Sequence, residues 1–177
     1  VSVSLGKETI QFLKQPNGTF TPPAGSTMAL LKTNGAYWLK ERHGNTFKFN
    51  VAGLLTNIVD QYNQSLRVTY NSSNWVYQVF DWKNRSLTFN YTGSPLRLTS
   101  VSDGSRSVSY GYANTYSSQG DLVSVTDPEN KTSTFIYDSN HQIVATKDAL
   151  SRVVISNAYD GFGRVIEQYG KGDTNQT

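Results

Sequence analysis

The sequence predicts an all-β protein: a solenoid-like strip of stacked β-hairpin repeats, open and curved. Three observations predict it. A pattern returns about every 21 residues from position 55 onward. Within each period lie two alternating runs of β-branched and aromatic residues, the period-two signature of strands. Residues that favour turns separate those runs at fixed offsets. Against this, "STMALLKTNG" (Ser26 to Gly35) is the one short helix-like segment.

Residues 1–34 are expected to form an irregular N-terminal cap. "NGTFTPPAGSTMALL" starts like a repeat, with Gly18 and Phe20, but Pro22-Pro23 forbids a normal central strand. Residues 35–170 are expected to be the hairpin array, and 171–177 a flexible tail. The first array unit is blurred, with Gly35 at the turn, Tyr37 as anchor and Phe49 at the aromatic position. The later units repeat an apolar anchor followed five residues later by Asp: Leu55/Asp60, Val76/Asp81, Leu98/Asp103, Leu122/Asp127 and Ile143/Asp148, with Val165 opening one more. Anchor spacings are 21, 22, 24, 21 and 22.

Two residues before the anchor stands Gly53, Asn74, Gly120 or Gly163, residues that tolerate positive φ. Leu96 and His141 replace them twice, so those two turns are expected to be built differently, with Gly93 and Asn140 supplying the bend. After each Asp comes a polar corner, "DQYNQ", "DWKNR", "DPENK" or "DALSR", in which the carboxylate can accept backbone N–H groups. Pro128 suits the second position of a type I turn. A strand then ends in Tyr70, Tyr91, Tyr112, Tyr137 or Tyr159. These tyrosines are expected to form a ladder on one face, adjacent rings contributing about 0.5–1.5 kcal/mol each beyond burial.

Composition narrows the function. Hydrophobic residues are 37%, aromatic residues 12% and mean hydropathy −0.47, which is polar but foldable. A net charge of +3 with a pI near 9.1 comes without a basic cluster, since Lys83, Arg85, Arg97 and Arg106 are scattered singly. No nucleic-acid partner is expected. There is no cysteine, so neither disulfides nor thiolate chemistry arise. No apolar run approaches the ~20 residues of a membrane span. "VSVSLGKETIQF" is neither a signal peptide nor an initiator sequence, which predicts a piece of a longer protein.

The units resemble the RHS/YD repeats of bacteria, shared with Tc-toxin components and animal teneurins. "GDLVSVTDPENKTSTFIYDSN" (Gly120 to Asn140) and "YDGFGRVIEQYG" (Tyr159 to Gly170) carry the resemblance. The Tyr-Asp pair is kept at Asp138 and Asp160 and replaced at Asn71, Thr92 and Ala113. The resemblance implies hairpins joined edge to edge into a twisting strip, which in full-length proteins spirals into a shell around a polypeptide, often toxic. It implies a mechanical, non-enzymatic role, a secreted or cell-surface parent, and two partners: the rest of the shell and its cargo. It also leaves exposed sheet edges that invite self-association.

Chemistry has few candidates. A Tyr-Asp acid/base pair repeating at a fixed period is structural rather than catalytic. One Asp per corner falls short of the six or more oxygens of a calcium site, and no metal or cofactor is expected. His43 and His141, the only histidines, read as surface or turn residues. "GSRS" is a turn rather than a phosphate loop, because no helix follows it. The family's self-cleaving aspartate motif has no match here. The sequons at Asn17, Asn63, Asn71, Asn84, Asn90, Asn130 and Asn175 follow from a composition rich in Asn, Ser and Thr. The alternative function is an extracellular carbohydrate- or protein-binding module, with Trp38, Trp75 and Trp82 as candidate glycan-stacking residues.

Overall fold

The computed structural model describes residues 1–93, 96–113 and 120–170, and among them there are strands and turns but no helix. The tail expected at 171–177 lies outside the described residues. Two compact units are present, Val1–Leu87 and Thr88–Thr177.

The first unit opens with a hairpin of β1 (Ser2–Leu5) and β2 (Glu8–Gln11) and a short pair of β3 (Leu13–Lys14) and β4 (Phe20–Thr21). Strand β4 stops directly before Pro22-Pro23, which cannot donate to a ladder. Then come β5 (Ala29–Thr33), β6 (Ala36–Lys40), β7 (Thr46–Phe49), β8 (Leu55–Val59), β9 (Ser65–Tyr70) and β10 (Val76–Phe80), each from β6 onward antiparallel to the one before. Leu30, Leu39, Phe47, Ile58 and Leu66 face each other strand to strand and so share one face.

The leading hairpins cover part of that face. Val3, Phe12, Leu30 and Leu39 are buried together, with Leu5, Ile10, Phe20, Tyr37, Phe47 and Phe49 packed around them. The chain start is tied down as well: the Phe12 N–H donates to the Val1 carbonyl at 2.7 Å and the Val1 amine to the Phe12 carbonyl at 2.9 Å.

The helix-like segment holds no helix. Ala29–Thr33 is a strand, because Leu30 gains full burial opposite Leu39. Asn34 and Gly35, at φ 51° and 83°, close a two-residue hairpin turn that no helix could continue through.

The second unit runs β11 (Ser86–Thr92), β12 (Arg97–Ser102), β13 (Ser107–Tyr112), β14 (Leu122–Thr126), β15 (Thr132–Tyr137), β16 (Ile143–Lys147), β17 (Val153–Tyr159) and β18 (Val165–Gly170). Consecutive strands pair antiparallel in sequence order, so the sheet is an open meander. One face carries Phe89, Val101, Tyr110, Val125 and Phe135, while Ser100, Ser109, Ser124 and Thr134 point the other way. Among the described residues none here is fully buried, as expected of a single layer.

A feature absent from the sequence reading recurs in register. In six strand pairs the partner of the aromatic strand carries one extra residue directly after the anchor: Thr56, Tyr77, Thr99, Val123, Val144 and Ile166. These are β-bulges, which locally break the ladder and increase its twist. The β5–β6 pair, closed by its two-residue turn, has none.

Candidate functional site: stapled turns and tyrosines beside the bulges

Nine connections, on both sides of the sheet, use one device. The Asp60 N–H donates to the Gln64 carbonyl at 3.0 Å, and the Asn63 N–H returns to the Asp60 carbonyl at 3.1 Å. The Asp60 carboxylate then accepts the N–H groups of Tyr62 (2.9 Å) and Gln64 (2.8 Å). Asp81, Asp127 and Asp148 repeat this pattern, and Asp103 does so over a corner one residue shorter. The fourth corner residue takes positive φ in each five-residue copy: Asn63 62°, Asn84 62°, Asn130 60° and Ser151 61°.

The opposite turns, expected to be glycine turns of another kind, are the same device. Asn50, Asn71, Asp138 and Asp160 each accept two backbone N–H groups at 2.8–3.0 Å. Gly53, Asn74, His141 and Gly163 fill the positive-φ place, at 81°, 61°, 62° and 78°. The His141 turn is therefore not built differently: the side-chain staple holds a histidine in the left-handed region, and Asn140 does not supply the bend. Asn71 also does the work that Asp138 and Asp160 do, since an amide oxygen accepts the same two N–H groups.

After Tyr91 and Tyr112 the stapling place is held by Thr92 and Ala113, which carry neither a carboxylate nor an amide. After Tyr112 the Ala113 N–H bonds the Asp121 carbonyl at 3.0 Å, closing a loop that includes Gly120, itself at φ 107°. Gly93 lies at φ 91°, and the residue beside Leu96 lies outside the described residues.

Arginines add a second contact at four corners: Arg85, Arg106, Arg152 and Arg164 each bring a guanidinium to the far carboxylate oxygen at 2.6–2.9 Å. These pairs are solvent-exposed and contribute little stability. The backbone N–H bonds set the geometry. Backbone N–H groups of Arg106 and Ser105, then the Arg106 side chain, hold Asp103 well below the usual carboxylate range. The Arg152 side chain, aided by its backbone and that of Leu150, outweighs desolvation and lowers Asp148 to about 2. Asp160 is lowered chiefly by the Arg164 backbone. At Asp81 desolvation pushes up, and the several contacts of Arg85 prevail downward.

The recurrent tyrosines do not form a stacked ladder. Successive copies lie two strands apart, about 9.5 Å, beyond the 4.5–7 Å of a ring pair. No ring pair is seen for Tyr70, Tyr112, Tyr137 or Tyr159 among the described residues, whereas Phe20 and Tyr37 do pair edge to face. Their hydroxyls instead donate to the anchor carbonyls of the neighbouring strand: Tyr70 to Leu55 at 2.7 Å, Tyr112 to Leu98 at 2.9 Å, Tyr137 to Leu122 at 3.0 Å and Tyr159 to Ile143 at 2.8 Å. Each acceptor directly precedes a bulged residue, where the ladder is locally disrupted. Phe49 fits the rule: its neighbouring pair, β5–β6, has no bulge and needs no hydroxyl. Burial raises the phenols of Tyr70, Tyr91 and Tyr137, the last with help from the Asp121 charge.

The tryptophans are not gathered into one groove. Trp82, 56% exposed, lines a shallow cleft of about 240 Å³ with Asp60, Gln64, Ser65 and Asp81, while Trp38 and Trp75 lie elsewhere. Asp121 accepts from His141 Nδ1 at 2.9 Å, a contact the sequence spacing of 20 residues concealed. Among the described residues no three Asp, Glu or His side chains converge as metal ligands, and no helix is long and apolar enough to cross a membrane.

The RHS Repeat family model matches residues 116–153, the stretch that holds the Asp127 corner and the Tyr137-Asp138 pair. A crystal structure of TcdB2-TccC3-Cdc42 superposes over 90% of this chain with a TM-score of 0.54 at 11% identity. This chain spans 10% of that one. A crystal structure of TcdB2-TccC3-TEV gives a TM-score of 0.26 at 10% identity, covering 92% of this chain and 16% of its own. No curated protein matches. The first superposition agrees with the open all-β meander.

Two outcomes are expected. Turn carboxylates with lowered values stabilise the fold fully above the ordinary aspartate value of 3.8 and lose that contribution as pH falls through their folded values, about 2 for Asp148. The melting temperature should therefore hold from neutral pH to about pH 4 and drop between about pH 4 and 2, followed by circular dichroism. A midpoint already falling near neutral pH would contradict the staple. Tyr137→Phe should cost about 1–2 kcal/mol in urea unfolding by stranding the Leu122 carbonyl. Tyr62→Phe, at a side chain 73% exposed, should be neutral.

Proposed function

We propose that this chain is an RHS/YD-repeat protein and part of the wall of a repeat shell that holds a polypeptide cargo. The observation that carries the reading is the self-similar hairpin with the same kind of staple recurring on both sides, which lets a strip grow without changing its register. Repeat arrays of this kind are scaffolds rather than active sites. The resemblance to Tc-toxin components supports a toxic polypeptide as cargo and a secreted or cell-surface parent. A glycan-binding module draws less support, because Trp38, Trp75 and Trp82 stand apart.

The wall reading gives β18 a partner. It is the last strand of its sheet, with Val165 and Ile166 at 51% and 61% exposure, and in the parent it would pair with a further repeat.

The decisive experiment expresses the parent reading frame and follows protease digestion of the segment beyond the repeats. Protection that disappears when the repeats are unfolded is expected; digestion at the rate of the free segment would overturn the wall reading. For the chain alone, light scattering at high concentration should reveal dimers, reduced by Ile166→Lys. A strict monomer would count against an open edge.

A further inference from the structure

Strand register gathers cations that the sequence scatters. Across the first unit, Leu31, Trp38, Lys48, Asn57, Arg67 and Phe80 stand directly opposite one another from β5 to β10. They form one cross-strand row on the face opposite Leu30, Leu39 and Phe47, and so away from the buried cluster. Lys48 Nζ sits 4.6 Å from the Trp38 ring centre and the Arg67 guanidinium 3.7 Å from that of Phe80. Lys40, two residues along from Trp38, approaches the same indole at 5.9 Å.

Among the described residues these three cations have no carboxylate within ion-pair distance, whereas the arginines of four corners are all paired. No acidic residue occupies the row or the adjoining positions Lys40, Thr46, Val59 and Ser65. Aromatic rings hold Lys48 and Arg67 in place, which lowers the entropy lost when they meet a partner.

We propose that this row is a docking surface for an acidic polypeptide segment. Charge complementarity calls for an anion. Three features favour a polypeptide over a nucleic acid. The row is apolar at both ends, with Leu31 at 42% exposure and Phe80 partly exposed, which suits aliphatic side chains between carboxylates. The Trp38 indole is engaged by two lysines and is not offered for base stacking. The Asn57 amide, between Lys48 and Arg67, can donate to and accept from a peptide group. Lys48 and Arg67 lie about 9.5 Å apart, and same-side carboxylates of an extended peptide recur about every 7 Å, within reach of both flexible arms. The inference does not rest on the wall reading.

The test uses the whole chain and a fluorescein-labelled peptide of about twelve alternating Glu and Leu residues, followed by anisotropy. Binding should weaken steeply with salt and fall about tenfold in Lys48→Glu/Arg67→Glu. Lys7→Glu/Lys14→Glu, with the same change in net charge, should bind as the parent chain does. If the reversal variant fails to fold, Lys48→Gln/Arg67→Gln should lose about threefold. Three results would overturn the proposal: no binding of the peptide, equal losses in both charge-reversal variants, or tighter binding of an oligothymidine of equal charge.

Discussion

A side-chain oxygen that accepts two backbone N–H groups is the constraint on which the remaining structure depends. A five-residue corner leaves donors with no partner in either strand, and one of its residues must enter the left-handed region. An Asp or Asn at the first position answers the first need. It also makes the second affordable for Asn63, Asn130, Ser151 and even His141, none of which has glycine's freedom. Because the ends of successive strands are fixed in this way, the register between them is fixed too. With register set, Leu39, Phe47, Ile58 and Leu66 fall on one face of the first unit, and Val101, Tyr110 and Val125 on one face of the second.

The bulges show how one device calls for another. Six pairs place an extra residue directly after the anchor, and an unmet carbonyl beside it would weaken the sheet. At four of them the tyrosine of the following strand supplies a donor. The distance between each tyrosine and its acceptor follows the local length of chain: 15 residues for Tyr70 and Tyr137, 14 where the Asp103 corner is shorter, and 16 where β17 carries an additional register shift. The hydroxyl contact survives these changes in length, so it is a fixed requirement of the geometry rather than an accident of spacing.

The hairpin period, the all-β class and the role of the corner carboxylates were legible in the sequence because they rest on local chemistry. The helix-like run at Ala29–Thr33 was misleading for the usual reason, burial opposite Leu39 overriding a local preference. The identity of the two kinds of turn was hidden because Asn50, Asn71, Asp138 and Asp160 belong to different-looking words, with Gly, Asn or His at the critical place. The tyrosine contact was hidden for another reason. A bulge has no residue signature here, Thr, Tyr, Val and Ile all occupying it, so the acceptor could not be found from spacing. The cation row was invisible because Lys48 and Arg67 are neighbours only through pairing with Asn57.

The Asn34-Gly35 turn has a chemical consequence of its own. An asparagine followed by glycine is the pair most open to slow succinimide formation, since no side chain shields the attacking nitrogen. Here the pair sits in a two-residue hairpin with both residues at positive φ, held by five opposed positions from Ala29–Lys40 to Thr33–Ala36. The turn cannot easily adopt the extended geometry that ring closure requires while that ladder persists. The age of this corner is therefore tied to the integrity of the first hairpin, and the isoaspartate content of a stored sample would record how often β5 and β6 have come apart.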